Sequence, residues 1–240
     1  MDYEAVLLGA GQGVRMNAPI NKVLLEIGSK VLLQYSVEYF LSDERCQGLT
    51  IVLASKKEEE FFYEKIVPNL PQTIRCFYEK KSVTVCIGGK ERQDSAAIGI
   101  ENSCGKTKQI LLHDGARPFI NKELVDRVLE KLADFPAVVP GVPATDTIKK
   151  VIDGKIIKTI PRQTLWQTQT PQAFHRDTLV EAYKKAQEDN YYGTDDSSLV
   201  ERYLPHIDCQ MIMGDYDNIK MTVAQDLAKA KAILQARGMV

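Results

Sequence analysis

The chain has 240 residues, 44% hydrophobic and 26% charged, the balance of a soluble globular protein able to bury one substantial core. Its formal net charge of −1 excludes a global basic field for nucleic acid or for an anionic membrane. No apolar run approaches a membrane span and no signal-peptide pattern opens the chain, so the expectation is one cytoplasmic domain over residues 1–240.

The first strand is predicted at Ala5-Val6-Leu7-Leu8, and it runs directly into Gly9-Ala10-Gly11-Gln12-Gly13-Val14-Arg15-Met16. Glycines at a strand's carboxyl end let backbone N–H groups turn toward an anion, and Arg15 and Lys22 add two fixed charges beside them. That is chemistry for holding a polyphosphate. The blander reading is a glycine-rich turn with incidental cations. Neither the dinucleotide pattern G-x-G-x-x-G nor the P-loop pattern is met.

Helical spacing follows over Val31 to Leu41, with Leu32, Tyr35, Ser36, Tyr39 and Phe40 as the inward face. Leu49 to Ala54 reads as a buried parallel strand, Lys57 to Val67 as a charged helix, and Val83 to Ile87 as a strand ending in Gly88-Gly89. Arg92 to Ser103 resumes helical spacing. Gln109 to His113 is a strand ending in Asp114-Gly115-Ala116-Arg117-Pro118. Asn121 caps a helix through Ala133, and Ala137 to Pro140 is a short strand. Such alternation predicts an α/β fold with a mainly parallel sheet, whose ligands sit beyond the carboxyl ends of the strands.

Thr145 to Arg162 breaks the rhythm, reading as a β-hairpin about Asp153-Gly154. Its apolar residues Ile148, Val151, Ile152, Ile156, Ile157 and Ile160 need a covering surface. Leu165-Trp166 and the polar string Gln167 to Gln172 follow, within which Gln169-Thr170-Pro171-Gln172 alone reads as a loop. Helices follow at Asp177 to Glu188 and at Asp195 to Tyr203, the latter with Thr194 as its cap. A late strand, Asp208 to Met213, leads through Asp217-Asn218-Ile219-Lys220 to a closing helix. Five cysteines without a C-x-x-C pair read as buried thiols, and three scattered histidines give no zinc spacing.

Taken in order, GAGQGVRM, Lys22, GGKERQDS, HDGARPF, DTIKK, RQTLWQTQTPQAF, TDDSSLVE and DNIKMT resemble the 2-C-methyl-D-erythritol 4-phosphate cytidylyltransferase family over essentially the full length. The resemblance implies a Rossmann-like, mainly parallel twisted sheet flanked by helices, with a protruding β-hairpin arm at about residues 143–163 used for dimerisation. It implies CTP, Mg²⁺ and a polyol phosphate, joined with release of pyrophosphate in non-mevalonate isoprenoid precursor biosynthesis. Ala10, Gly11, Gly13, Arg15 and Lys22 would hold the triphosphate, with Arg15, Lys22 and Lys220 neutralising its charge. Gly89, Arg92 and Ser95 would meet the cytosine or its ribose. Asp114, Arg117, Thr147, Arg162, Thr170, Lys220 and Thr222 would surround the methylerythritol phosphate, Thr147 and Arg162 arriving from a second subunit's arm. Asp114 or Asp217 would approach the metal, in part through water. Ribitol 5-phosphate is the competing substrate, and a catalytically silent nucleotide-binding regulator the competing class. Three positions depart from the family pattern: Asn21 replaces a proline, Gly115 an alanine, and Lys90 an acid near the base. Losing the proline implies a looser approach to Lys22.

Overall fold

The computed structural model describes residues 1–11, 21–223 and 225–238. Its first half comprises β1 (Tyr3–Leu8), a ribbon of β2 (Glu26–Ile27) and β3 (Lys30–Val31), α1 (Leu32–Ser42), β4 (Cys46–Leu53), α2 (Lys56–Phe61), α3 (Gln72–Lys80), β5 (Ser82–Ile87), α4 (Arg92–Glu101) and β6 (Gln109–Asp114). The second half comprises α5 (Lys122–Leu132), β7 (Ala137–Pro143), the hairpin β8 (Ile148–Ile152) and β9 (Lys155–Ile160), β10 (Trp166–Thr168), β11 (Gln172–His175), α6 (Arg176–Glu188), α7 (Asp196–Tyr203), β12 (Cys209–Met213) and α8 (Asp226–Ala236).

The central sheet runs β5–β4–β1–β6–β11–β7–β12, with β10 continuing past β11 along the same edge of β7. The β4–β5, β1–β4, β1–β6 and β7–β12 pairs are parallel, while β10 and β11 run antiparallel to their neighbours. Helices cover both faces, so the strands read as continuous apolar runs. Along β1 the alternation is visible: Tyr3, Ala5 and Leu7 join the core under α1 and α5, and Val6 and Leu8 join the one under α4 and α6.

The ladders continue one residue past three strands. Gly9 N–H donates to Val52 O at 2.7 Å, Gly88 N–H to Leu53 O at 2.8 Å, and Gly115 N–H to Leu8 O at 2.8 Å. The loops leaving β1, β5 and β6 therefore start level, at one edge of the sheet. This is the convergence the sequence predicts.

Several local expectations are corrected. The cap of α7 is Asp195, not Thr194: its carboxylate accepts from Ser198 N–H at 3.0 Å, a charged acceptor one residue closer to the orphan amides. The helix predicted from Lys57 to Val67 stops at Phe61, then widens through a π-type turn to Ile66 and tightens over Val67–Asn69, where Pro68 lies. The loop read at Gln169–Gln172 gives way to strand at its last residue, since Gln172 opens β11, which pairs with β6 and β7. The sequence reading has no counterpart of α3, although Ile74, Phe77 and Tyr78 pack on the core at helical spacing.

The hairpin forms as predicted. Asp153 and Gly154 take φ of 48° and 77°, the positive pair that a two-residue turn of this hand requires. It is a separate ribbon, not part of the central sheet. Val151, Ile152, Ile156 and Ile157 are 51%, 51%, 66% and 54% exposed, so this chain's own body does not cover them. Among the described residues, no helix is long and apolar enough to cross a membrane.

Candidate active site

A cavity of about 430 Å³ opens at that sheet edge. Ala10 and Gly11 line it from the loop after β1, Gly89, Arg92 and Ser95 from the connection into α4, and Asp114 from the end of β6. Lys22, Lys220 and Thr222 line it as well, together with Lys90 and Glu91. Close approach explains the paired glycines. A Cβ on Gly88 would lie 2.5 Å from Ser95 Oγ and 2.7 Å from Ala10 Cβ, and one on Gly89 would lie 2.4 Å from Asp94 Cβ.

The floor is a charge network. Asp114 accepts from Arg92 Nε at 3.1 Å and pairs with Lys220 Nζ at 2.7 Å. Arg92 continues, bidentate, to the fully buried Asp196 at 2.9 and 2.8 Å, and Tyr183 Oη donates to the same carboxylate. Burial opposes the Asp114 charge, but Arg92 and then Lys220 outweigh it and hold the carboxyl far below the usual range. Two carboxylates thus fix two cations, and Lys220 is set in place ahead of any ligand.

Behind Asp114 stands a second layer. Its amide donates to Thr170 Oγ1 at 3.0 Å, which also lies 3.0 Å from His113 Nδ1; because Nε2 faces a carbonyl that can only accept, Nδ1 of the neutral ring accepts from the Thr170 hydroxyl. His113 is then neutral and carries its proton on Nε2, which donates to Arg117 O at 3.0 Å. Burial pushes this imidazole down to about 4. The unfolded state binds the proton below about 6.5, while the folded state resists it, so stability is complete above that pH and falls as pH drops toward 4. The expected loss across the window is on the order of 3 kcal/mol, and Asp114 adds nothing until the carboxylate range is reached. Denaturant midpoints at pH 7 and 4.5 check it. The wild type should lose far more than His113→Gln, and equal losses would show that His113 does not set the acid limit.

The remaining predicted residues lie elsewhere. Gly13 and Arg15 fall outside the described residues. Arg117 is buried, donating to Asn218 O at 2.6 Å and Thr168 O at 3.1 Å, and with Thr170 it braces the site without lining it. Thr147 and Arg162 sit at the root of the arm, outside the cavity, where Arg162 Nη1 donates to Thr145 O at 2.9 Å. Asp217 also lies outside it, its carboxylate 3.3 Å from Arg237 Nη2. Among the described residues no three His, Cys, Asp or Glu side chains gather as a metal site.

The family model of 2-C-methyl-D-erythritol 4-phosphate cytidylyltransferase (IspD) matches residues 3–236. The chain belongs to this family. The cytidylyltransferase family includes relatives from Clostridioides difficile strain 630, 38% identical over 97% of this chain and 93% of the relative, and from Bacillus licheniformis, 39% identical over 98% and 97%. Solved structures agree in fold. The 4-diphosphocytidyl-2C-methyl-D-erythritol synthase of Anaerococcus prevotii superposes with a TM-score of 0.82 at 25% identity, covering 98% of each chain. The cytidylyltransferase of Thermus thermophilus gives 0.75 at 26%, covering 98% and 100%. Against the family motifs, the residues missed from sequence are Asp196 and Tyr183. Asp196 lies within the quoted TDDSSLVE stretch, but only its distance to Arg92 reveals what it does.

Proposed function

We propose that this family member is a nucleotidyltransferase that joins CTP to 2-C-methyl-D-erythritol 4-phosphate, giving 4-diphosphocytidyl-2-C-methyl-D-erythritol and pyrophosphate for isoprenoid biosynthesis. The observation that carries the reading is the single cavity where the glycine loop, Lys22, the Gly88-Gly89 connection, Asp114 and Lys220 meet. One phosphate oxygen of the polyol phosphate attacks the α-phosphorus of CTP, a P–O bond forms, and the bond to the β-phosphate bridging oxygen breaks. The attacking oxygen is already anionic, so no covalent nucleophile is needed. The chain's work is positioning and charge neutralisation.

Lys22 faces the triphosphate, with the amides of Ala10 and Gly11 beside it, and the family motif assigns Arg15 to the same phosphates. Gly89 and Ser95 border the base, while Arg92 is committed to Asp114 and Asp196 and shapes the ribose side. Lys220, Asp114 and Thr222 receive the polyol phosphate. Both Asp114 oxygens are engaged by Arg92 and Lys220, and among the described residues no carboxylate cage for Mg²⁺ forms. Mg²⁺ bound with CTP would supply charge neutralisation at the triphosphate.

The uncovered apolar arm supports a homodimer in which Thr147 and Arg162 of one subunit reach the other's cavity. The reading treats the whole chain as one nucleotidyltransferase domain. Pyrophosphate release tests substrate choice, with CTP or UTP against methylerythritol phosphate, ribitol 5-phosphate and other polyol phosphates. CTP should exceed UTP by at least about tenfold in kcat/KM, because donors and acceptors placed for cytosine are left unpaired by uracil. Equal use of both would remove the Gly88-Gly89 loop from base recognition, and turnover with ribitol 5-phosphate alone would reassign the substrate.

A further inference from the structure

Asn21 uses every hydrogen-bonding atom of its side chain. Nδ2 donates to Gly9 O at 2.7 Å and to Glu58 Oε2 at 3.3 Å, and Oδ1 accepts from Val23 N–H at 3.3 Å. The side chain is buried and caps the turn Lys22–Leu24, whose next residue closes it by donating Leu25 N–H to Lys22 O at 3.1 Å. Glu58 is itself fixed, accepting from Ala54 N–H at 2.9 Å. One carboxamide therefore ties three points together: the exit of β1, the β4–α2 connection and the turn that presents Lys22. No other side chain of this size offers two N–H donors and an acceptor in that arrangement. Aspartate would set an oxygen against both Gly9 O and Glu58. The backbone so held has φ −57° and ψ 131°, values that proline adopts. The looser approach implied by losing the proline is thus offset by the side chain.

We propose that Asn21, seated on Gly9 and Glu58, is a positioning residue that aims Lys22 at the triphosphate, and that Glu58 acts on turnover through it. This rests on the Lys22 role given above. Lys22 lies next in sequence, and a misplacement of about 1 Å can reduce a rate 10²-fold, so the aim matters more than affinity.

The test is a double-mutant cycle on the full chain, read by pyrophosphate release with CTP and methylerythritol phosphate. Asn21→Ala should lower kcat about tenfold while the KM for CTP moves less than about twofold. In a Lys22→Ala background the same substitution should change kcat no further, because its effect passes through the lysine. Asn21→Pro should regain most of the lost kcat, since the ring supplies the same φ covalently. An equal loss in both backgrounds would make Asn21 a structural residue and overturn the proposal. So would an Asn21→Pro chain that melts with the wild type yet turns over no faster than Asn21→Ala. If Asn21→Ala does not fold, Glu58→Ala enters the same cycle with the same expectation. A Lys22→Ala chain with wild-type turnover is a separate failure, of the Lys22 role itself.

Discussion

Lys22→Ala is expected to lower turnover by about 10²-fold or more, with much less effect on CTP affinity. Charge on the departing pyrophosphate grows as the α-phosphorus bond breaks, and an ammonium fixed beside it stabilises that state more than the ground state. Lys22 lines the cavity, and its turn is anchored by Val23 and Leu24, both buried, so the fold does not depend on the ammonium. Thermal melting should therefore leave the variant close to wild type while kcat collapses. Steady-state pyrophosphate release with CTP titration separates the two. Turnover within a few-fold of wild type would take Lys22 out of the chemistry.

The second large effect concerns the arm. Arg162→Ala and Arg15→Ala chains are each expected to be nearly inactive alone, yet to restore roughly a quarter of wild-type activity once mixed and re-paired. Arg162 stands at the root of the hairpin, outside the cavity its own chain builds, and the hairpin's isoleucines and valine face outward. In the proposed dimer a two-fold partner would cover that surface and receive Thr147 and Arg162 in its own site. Random pairing makes half the dimers mixed, and one of the two sites in each mixed dimer then holds both arginines. Native mass spectrometry on isotopically labelled chains verifies exchange. Confirmed exchange without recovered activity would place both arginines in one subunit's site.

The strand ends were legible because their signals are local. Apolar runs stop at Gly9, Gly88 and Asp114, and parallel βαβ units bring such ends to one edge. The hairpin was legible for the same reason, its two positive-φ residues being Asp-Gly. What stayed hidden depends on partners far along the chain. Gln172, in a string that reads as loop, is buried because its side chain donates to Asp195 Oδ2 at 2.8 Å and accepts from Ser197 N–H at 3.0 Å. Arg117 reads as a ligand-binding partner of Asp114, but carbonyls of Thr168 and Asn218 claim its guanidinium. Asp196 is the clearest case. No local pattern distinguishes it from Asp195, yet one caps a helix and the other is buried against Arg92.

The central claim is that the cavity transfers the α-phosphorus of CTP to a polyol phosphate. Labelling each end of the triphosphate tests it most directly. With CTP carrying ³²P at the α position and methylerythritol phosphate as acceptor, the label should appear in a cytidine-diphospho product. With ³²P at the γ position it should leave in pyrophosphate, in equal amount. Label released from the γ position as inorganic phosphate, or transferred to the polyol, would contradict the account.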